Sequence, residues 1–270
     1  MNGEQDAPLH VPPLQLPTLQ VPMQCVCEVW FADLGRHLGS IEDEERRSAR
    51  LSPDEILRAE RISDPDQRRL WRASHIALRD ILERSCGPAI RRVPFVSKVG
   101  GRPELAPELN RVLNRELTRE LAREIREAPE ISFSLSHTAN VALIGISRAG
   151  PIGVDIEALH TRAFSEARRQ KIEAIALDIA AGRALPVDQD RRFLQAWTRV
   201  EALSKADGRG VLHTLGSPGG TVQEATGKSV RSIEVRDLEV GAGFCASVAG
   251  RDLPVALVIN SYDPGRIPPL

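Results

Sequence analysis

The sequence predicts a mixed fold of the α+β (α/β) class, in two halves of similar size that each combine a small antiparallel sheet with helices. Residues 131–136 alternate between apolar and hydroxyl side chains, and a β-rich run follows at 141–147, which predicts a hairpin. Stretches on both sides carry helix caps followed by apolar residues at helical spacing. Gly150 and Pro151 interrupt the pattern, so we place the boundary between the halves, 24–149 and 150–262, there.

The charge balance argues against broad electrostatic partners. The chain has 36 basic and 37 acidic residues among 270, a net charge of -1, so no global field attracts nucleic acid or an anionic membrane. No apolar run reaches the roughly 18 residues of a membrane span, and the N-terminus lacks the basic start and hydrophobic block of a signal peptide. We expect a cytoplasmic protein that binds neither nucleic acid nor membranes.

The cysteines favour a reducing compartment. They show neither paired Cys-x-x-Cys spacing nor the density of a secreted disulfide scaffold, and a zinc site is not expected. The four are Cys25, Cys27, Cys86 and Cys245.

The first half begins with a proline-rich tail and a strand. Residues 1–23 carry five prolines at short intervals, which favours an extended, disordered segment without chemistry. Residues 25–34 are rich in β-forming side chains and predict the first buried strand. A short strand at 93–99 is expected to end in the turn 100–103, and residues 263–270 form a second tail.

Two helix starts follow the first strand. Ser52, with Pro53 next and Glu55 three residues on, predicts a capping box. Asp64, followed by Pro65, is a second predicted N-cap, and it begins a helix expected to end near Cys86. Four basic side chains share one stripe of that helix: Arg68, Arg72, His75 and Arg79. The stripe is a solvated basic face, which we favour for most of it, or else part of it receives phosphates together with Arg58 and Arg61 upstream.

Residues 109–127 predict an amphipathic helix. Leucine or isoleucine recurs every four residues from Leu109 to Ile125, and arginine follows the same rhythm from Arg111 to Arg123. We expect the apolar stripe to pack on the domain, with contact to a partner as the alternative.

The second half is predicted to hold two helices and four strands. Residues 153–157 read as the first strand, and helices are expected at 165–181 and 188–206. Three antiparallel strands are expected to close this half, at 232–240, 243–248 and 255–260.

The stretch from Gly153 to Glu157 is the most informative in the chain. In a strand, Asp155 and Glu157 share one face, roughly 7 Å apart at their Cα atoms, while Val154 and Ile156 turn into a core. Two carboxylates on one face repel each other unless a cation joins them. Taken alone, the pattern is more often a solvated strand end, so its interpretation depends on the other motifs.

Four motifs together resemble a known family. They are Gly101 to Pro103, Phe133 to Thr138, Gly153 to Glu157, and Trp197 to Lys205. In order and spacing, over about residues 24–260, they resemble the 4'-phosphopantetheinyl transferases of the long, monomeric, surfactin-synthetase-activating type. The resemblance implies a pseudo-two-fold fold with coenzyme A and Mg²⁺ between the halves. It also implies transfer of the phosphopantetheine arm to a serine of an apo acyl or peptidyl carrier protein, releasing adenosine 3',5'-bisphosphate.

The resemblance also implies roles for individual residues. Oxygen ligands suit Mg²⁺, and the implied metal ligands are Asp155, Glu157 and Glu201. Glu201 or a metal-bound water accepts the serine proton, and Lys205 offsets charge on the departing bisphosphate. The implied coenzyme A contacts are Arg58, Arg102, Ser136, His137, Asp155 and Lys205, with Arg58 for the 3'-phosphate and Arg79 as a weaker candidate.

The chain departs from the family at three places. Val200 stands where the family has a lysine before the metal-binding glutamate, and Arg199 comes one place earlier, a rotation of about 100° on a helix. Ser134 replaces an asparagine. The helix 109–127 is inserted, where it would cover the cleft or meet the carrier protein.

Two other functions fit parts of the sequence. One is a degenerate relative that binds coenzyme A or a carrier protein without transfer, suggested by Val200 and the insertion, although the intact acidic residues argue against it. The other is a glycosidase that uses Asp155 and Glu201 as paired carboxylates. Because only 4% of residues are aromatic, platforms for sugar stacking are scarce and we rank it last.

Overall fold

Nine strands and five α-helices are found in the residues that the computed structural model describes, namely 27–97, 103–106, 131–159, 164–211, 215 and 233–265. The strands are β1 (Cys27–Asp33), β2 (Val96–Ser97), β3 (Pro103–Glu104), β4 (Ser132–Thr138), β5 (Val141–Ser147), β6 (Ile152–Ala158), β7 (Glu234–Asp237), β8 (Phe244–Gly250) and β9 (Ile259–Ser261). The helices are α1 (Leu34–Arg47), α2 (Pro53–Glu60), α3 (Pro65–Cys86), α4 (Glu166–Ile179) and α5 (Gln189–Asp207). The mixed α/β class is therefore confirmed.

Two sheets form the centre of the molecule. The first has the strand order β4-β5-β1-β9, and the second has the order β6-β8-β7, with β2 and β3 pairing separately. The predicted hairpin is confirmed, because β4 pairs antiparallel with β5 from Ser132 opposite Ser147 to Thr138 opposite Val141. The pseudo-two-fold relation between the halves stays a prediction.

The last strand corrects one prediction. β7 and β8 pair antiparallel in the second sheet, as expected. β9 instead runs parallel to β1, with Trp30 opposite Asn260, so it completes the first sheet. The prediction that three antiparallel strands close the second half was therefore wrong for the third strand. Tyr262, just beyond it, is buried and donates a hydrogen bond to Asp80 on α3 at 3.0 Å, which holds the returning chain on the first half.

Apolar side chains on both faces of the first sheet explain the layering. On one face, Ile144 and Ile146 of β5 pack with residues of α1 and α3. On the other face, Leu143 meets Val154 and Ile156 of β6, which are turned into the core as predicted. The far side of the second sheet packs on α4 and α5. Gly153, Asp155 and Glu157 alternate with Val154 and Ile156, which places them on the α5 side.

Local signals set most helix boundaries. Ser52 and Glu55 form the predicted capping box at α2, and the Asp64 side chain caps α3, which ends at Gly87. The Asp188 side chain caps α5, which ends at Gly208 in the left-handed region at φ 77°. Helices predicted at 165–181 and 188–206 are confirmed as α4 and α5.

Helix α1 is absent from the predictions. The expected strand 25–34 ends at Asp33, whose side chain accepts a hydrogen bond from the Arg36 N–H and begins the helix. Residues 1–26, the turn residues 98–102 and the inserted helix 109–127 lie outside the described residues. Within the part of the chain that is described, no helix is both long and apolar enough to cross a bilayer.

Candidate active site

A cavity of about 610 Å³ lies where α2, α3, β4 and the end of α5 meet. Four of the sequence-predicted site residues line it: Arg58, His137, Glu201 and Lys205. They come from three separate elements and are up to 147 positions apart in the chain, counted from residue 58 to residue 205. Tertiary folding thus brings two cations, one imidazole and one carboxylate to the same cavity.

Asp155 lies beside this cavity and is 4% exposed. Its Oδ1 atom accepts two hydrogen bonds of 2.7 Å, one from the Ser136 hydroxyl and one from the Lys205 ammonium group. Lys205 also donates to the Val154 carbonyl at 3.1 Å. The Ser136 hydroxyl is therefore engaged with Asp155, and its predicted contact to phosphate stays a prediction.

Gly153 determines how closely β6 approaches α5. A Cβ atom at this position would lie 2.0 Å from the Ala202 carbonyl oxygen and 2.5 Å from the Ala206 nitrogen. Only glycine fits such a contact with helix backbone. The first residue of the Gly153 to Glu157 stretch therefore sets the distance between Asp155 and the helix that carries Glu201 and Lys205.

One carboxylate oxygen of Asp155 lacks a hydrogen-bond partner. Its Oδ2 atom is buried and has no hydrogen-bond partner. An orphaned buried carboxylate oxygen is costly unless a cation or another donor reaches it. This donor chemistry fits a hard cation, although no group of three or more His, Cys, Asp or Glu side chains among the described residues is placed to hold a metal ion. Glu157 is buried on the same strand at 7% exposure.

A row of hydroxyl groups joins the edges of the two sheets. Three of them on β4 accept hydrogen bonds from backbone N–H groups of β6: Ser132 from Ile152, Ser134 from Val154, and Thr138 from Ala158. Side chains at alternate positions of one strand thus replace the carbonyls that a neighbouring strand would supply. This joint fixes β6, and Asp155 with it, against the strand that carries His137.

His137 faces the cavity as a poor proton acceptor. Desolvation by the surrounding protein lowers the pKa of His137, and the neighbouring His75 and Lys205 side chains lower it further. The imidazole is therefore held neutral at physiological pH, where it has one N–H to donate and one nitrogen to accept.

Two known proteins are similar to this chain in sequence. No family model matches the chain. A putative 4'-phosphopantetheinyl transferase of Synechocystis sp. is 28% identical over 172 residues, which are 60% of this chain and 59% of that protein. The 4'-phosphopantetheinyl transferase HetI of Nostoc sp. is 29% identical over 184 residues, 68% of this chain and 69% of that protein. The chain is thus similar to two proteins that are named as 4'-phosphopantetheinyl transferases. It spans less than two thirds of the length of the Synechocystis relative.

The departure at Val200 is explained by packing. Val200 is fully buried in the apolar cluster between α4, α5 and β8. The neighbouring Arg199 is also 0% exposed and binds Asp237 through two hydrogen bonds, of 2.8 and 2.7 Å. It also donates to the Arg183 carbonyl at 2.9 Å. As expected from its position on the helix, Arg199 does not take over the role of the superfamily's lysine.

The structure corrects the prediction that Arg79 is a candidate phosphate ligand. Its side chain is 1% exposed, and its Nε atom lies 2.5 Å from Glu55 Oε2. It donates to the Val93 carbonyl at 2.9 Å, and its guanidinium lies 4.0 Å from the centre of the Phe95 ring. Burial beside a carboxylate makes Arg79 part of the core. The solvated interpretation was therefore wrong for this member of the stripe.

Among the other residues that line the cavity are two aromatic side chains to which the motifs assigned no role. Trp71 and His75 stand on consecutive turns of α3, with ring centroids 3.8 Å apart and an interplanar angle of 24°. The signal in the sequence is their i, i+4 spacing on a helix that opens beside Arg58. Arg102 and the rest of its turn lie outside the described residues, so its predicted contact with coenzyme A stays a prediction.

Proposed function

We propose that this protein transfers the 4'-phosphopantetheine arm of coenzyme A to a serine of an apo carrier protein. The observation that carries the proposal is the convergence of Arg58, His137, Glu201 and Lys205 on one cavity next to buried Asp155. Both relatives are named as 4'-phosphopantetheinyl transferases, one of them as putative, which supports the same activity.

Coenzyme A is a polyanion at its nucleotide end, and the cavity offers matching groups there. Arg58 on α2 and Lys205 on α5 supply cations to its walls, and neutral His137 can donate a hydrogen bond to a phosphate oxygen. We assign the 3'-phosphate to Arg58 and the pyrophosphate to Lys205 and His137.

Transfer requires one bond to form and one to break. The serine oxygen bonds to the β-phosphorus, and the bond from that phosphorus to the bridging oxygen breaks, so the electron pair leaves with adenosine 3',5'-bisphosphate. The serine proton must pass to a base, and Glu201 is our candidate because its carboxylate lines the cavity. Lys205 offsets the charge that develops on the leaving bisphosphate.

The reaction is proposed to depend on Mg²⁺, held by Asp155, Glu157 and Glu201. When bound, Mg²⁺ would supply charge neutralisation at the transferring phosphoryl group. The unpartnered Oδ2 atom of Asp155 supports this assignment. Ser136 and Lys205 both hold the other oxygen, so the chain itself fixes the orientation of the carboxylate.

The carrier partner is proposed to be a carrier domain of a peptide, polyketide or related synthase. This follows from the resemblance to the long type of the superfamily, which also leads us to propose a monomer that works in the cytoplasm. The inserted segment 109–127 is proposed to cover the cleft or to contact the carrier.

The proposal is tested by mass spectrometry of carrier proteins. The protein is mixed with coenzyme A, Mg²⁺ and a panel of apo carriers, and transfer adds about 340 Da, the mass of the arm. Matched carriers with the acceptor serine replaced by alanine should gain no mass. If a folded sample modifies none of the carriers, the proposed activity is wrong.

Binding of coenzyme A without transfer is the second candidate. It is favoured by one observation, the lack of an assembled three-ligand metal group among the described residues. Calorimetry separates the two functions. Heat of coenzyme A binding together with unmodified carriers in the presence of Mg²⁺ would favour the binding protein.

A further inference from the structure

The cavity has an aromatic wall that the proposed chemistry does not use. Trp71 and His75 stack on α3 and line the cavity together with Arg58 of α2. Trp71 is only partly buried, so part of the indole remains accessible from the cavity. Apolar residues Ile62 and Leu78 extend this wall.

A buried carboxylate, that of Glu55, contacts His75 and fixes the aromatic wall. Glu55 is 4% exposed, and its Oε1 atom lies 3.0 Å from the Nδ1 atom of His75. Its Oε2 atom accepts from the Ser52 backbone N–H at 2.9 Å and from Arg79 at 2.5 Å. Because the Ser52 N–H at the start of α2 and Arg79 on α3 hold Glu55, His75 is fixed too, and the stacked Trp71 ring has a defined orientation before any ligand arrives.

The position of the aromatic wall matches the nucleotide end of coenzyme A. In coenzyme A, the pyrophosphate joins the pantetheine arm to a ribose that carries the 3'-phosphate and the adenine. If Lys205 on α5 and His137 on β4 bind the pyrophosphate, the α2 and α3 side of the cavity receives the ribose phosphate and the base. A planar, electron-rich base stacks on indole in preference to aliphatic surface.

We propose that Trp71, oriented by His75 and Glu55, is the surface against which the adenine ring of coenzyme A packs. Trp71 is then a binding residue that selects donors with a nucleobase, and Glu55 is a positioning residue. The inference rests on the proposed function, because it takes coenzyme A as the ligand. Its own probe is adenosine 3',5'-bisphosphate, which contains the base, the 3'-phosphate and the adenosine-side phosphate of the pyrophosphate but no transferable arm.

The first test is the affinity of Trp71 variants for this probe. Base stacking contributes a few kcal/mol at most, so Trp71→Ala is expected to bind the bisphosphate about tenfold more weakly, and Trp71→Phe within about threefold of the parent protein. In the transfer assay, the loss is expected in KM for coenzyme A more than in kcat. Trp30→Phe is the matched control, since Trp30 is a half-buried indole on β1 that does not line the cavity.

Fluorescence gives a second readout that requires only conservative variants. The chain has three tryptophans, and stacking of adenine on Trp71 should quench part of their emission. Quenching by the bisphosphate is expected to persist in Trp30→Phe and to fall sharply in Trp71→Phe. Undiminished quenching in Trp71→Phe would overturn the inference, as would unchanged bisphosphate affinity in a folded Trp71→Ala protein.

The two proposals fail separately. A protein that modifies no carrier but binds the bisphosphate through Trp71 contradicts transfer and keeps the adenine wall. A protein that modifies a carrier with unchanged KM in Trp71→Ala keeps transfer and contradicts the wall.

Discussion

The ammonium group of Lys205 lies 2.7 Å from the Oδ1 atom of Asp155 and ties the end of α5 to the middle of β6. Asp155 is nearly fully buried, whereas the Lys205 side chain is 28% exposed and reaches the cavity. One oxygen of the carboxylate is thus neutralised from the cavity side, and the other has no partner. This asymmetry makes Asp155 the residue on which the proposed site depends most directly.

Asp155→Asn is expected to lower transfer at least about 100-fold, because it removes the charge that Lys205 and a cation would share. The melting temperature should change little, since asparagine keeps the shape and an acceptor for Ser136. Initial rates at saturating Mg²⁺ measure the effect. Asp190→Asn is the control, because Asp190 lies on α5 with 54% of its side chain exposed. Near-normal transfer by Asp155→Asn would show that the metal assignment is wrong.

Gly153→Ala is expected to destabilise the protein by at least about 2 kcal/mol, because the new methyl group would meet the backbone of α5. Transfer per folded molecule should fall as well, since the helix moves away from Asp155. Urea denaturation measures the loss. In Gly39→Ala, a Cβ atom meets nothing within 4 Å inside α1, and we expect a gain of up to about 1 kcal/mol from helix propensity. Equal stabilities of the two variants would contradict the close approach.

Arg199→Met is expected to cost about 3 to 5 kcal/mol, because it leaves Asp237 without its main partner and leaves carbonyl acceptors unpaired. Adding Asp237→Asn should recover part of this loss. Arg192→Met on the same helix removes an ion pair whose arginine is 38% exposed, and should cost less than about 1 kcal/mol. Denaturant midpoints test the comparison, and a small effect at Arg199 would contradict its structural role.

Glu55 gives the protein a predictable acid response. Burial alone would raise its pKa, but the His75 hydrogen bond, the charge of Arg79 and the Ser52 N–H outweigh burial and lower the pKa from 4.5 to about 2. Because the folded-state pKa lies below the unfolded value, the stabilisation is fully present above pH 4.5 and is lost as the pH falls towards 2.

The corresponding variant is Glu55→Gln. Its stability deficit relative to the parent protein is expected to be roughly 3 kcal/mol at pH 7 and to shrink as the pH falls from 4.5 towards 2. Denaturation curves at several pH values measure it. A deficit that does not change with pH would show that ionised Glu55 is not the stabilising form.

Local patterns in the sequence were sufficient for much of this fold. The capping box at Ser52, the helix expected at 188–206 and the hairpin of β4 and β5 depend on contacts between residues close in the sequence, so the sequence predicts them. Helix α1 carries two glycines, Gly35 and Gly39, and has little helix propensity of its own. Burial of Leu34 and Ile41 against the rest of the core stabilises it, and no local pattern shows that.

The sequence by itself predicted His137, Glu201 and Lys205 as candidates, because the order and spacing of the motifs carry that information. Only the tertiary structure decided three other points. It showed that β9 returns to β1, that Arg79 and Arg199 are buried in ion pairs, and that Trp71 lies with Arg58 at the cavity. The sequence around an arginine does not show whether its side chain faces a phosphate or a buried carboxylate. Its partner comes from a distant segment, and packing between elements chooses that partner.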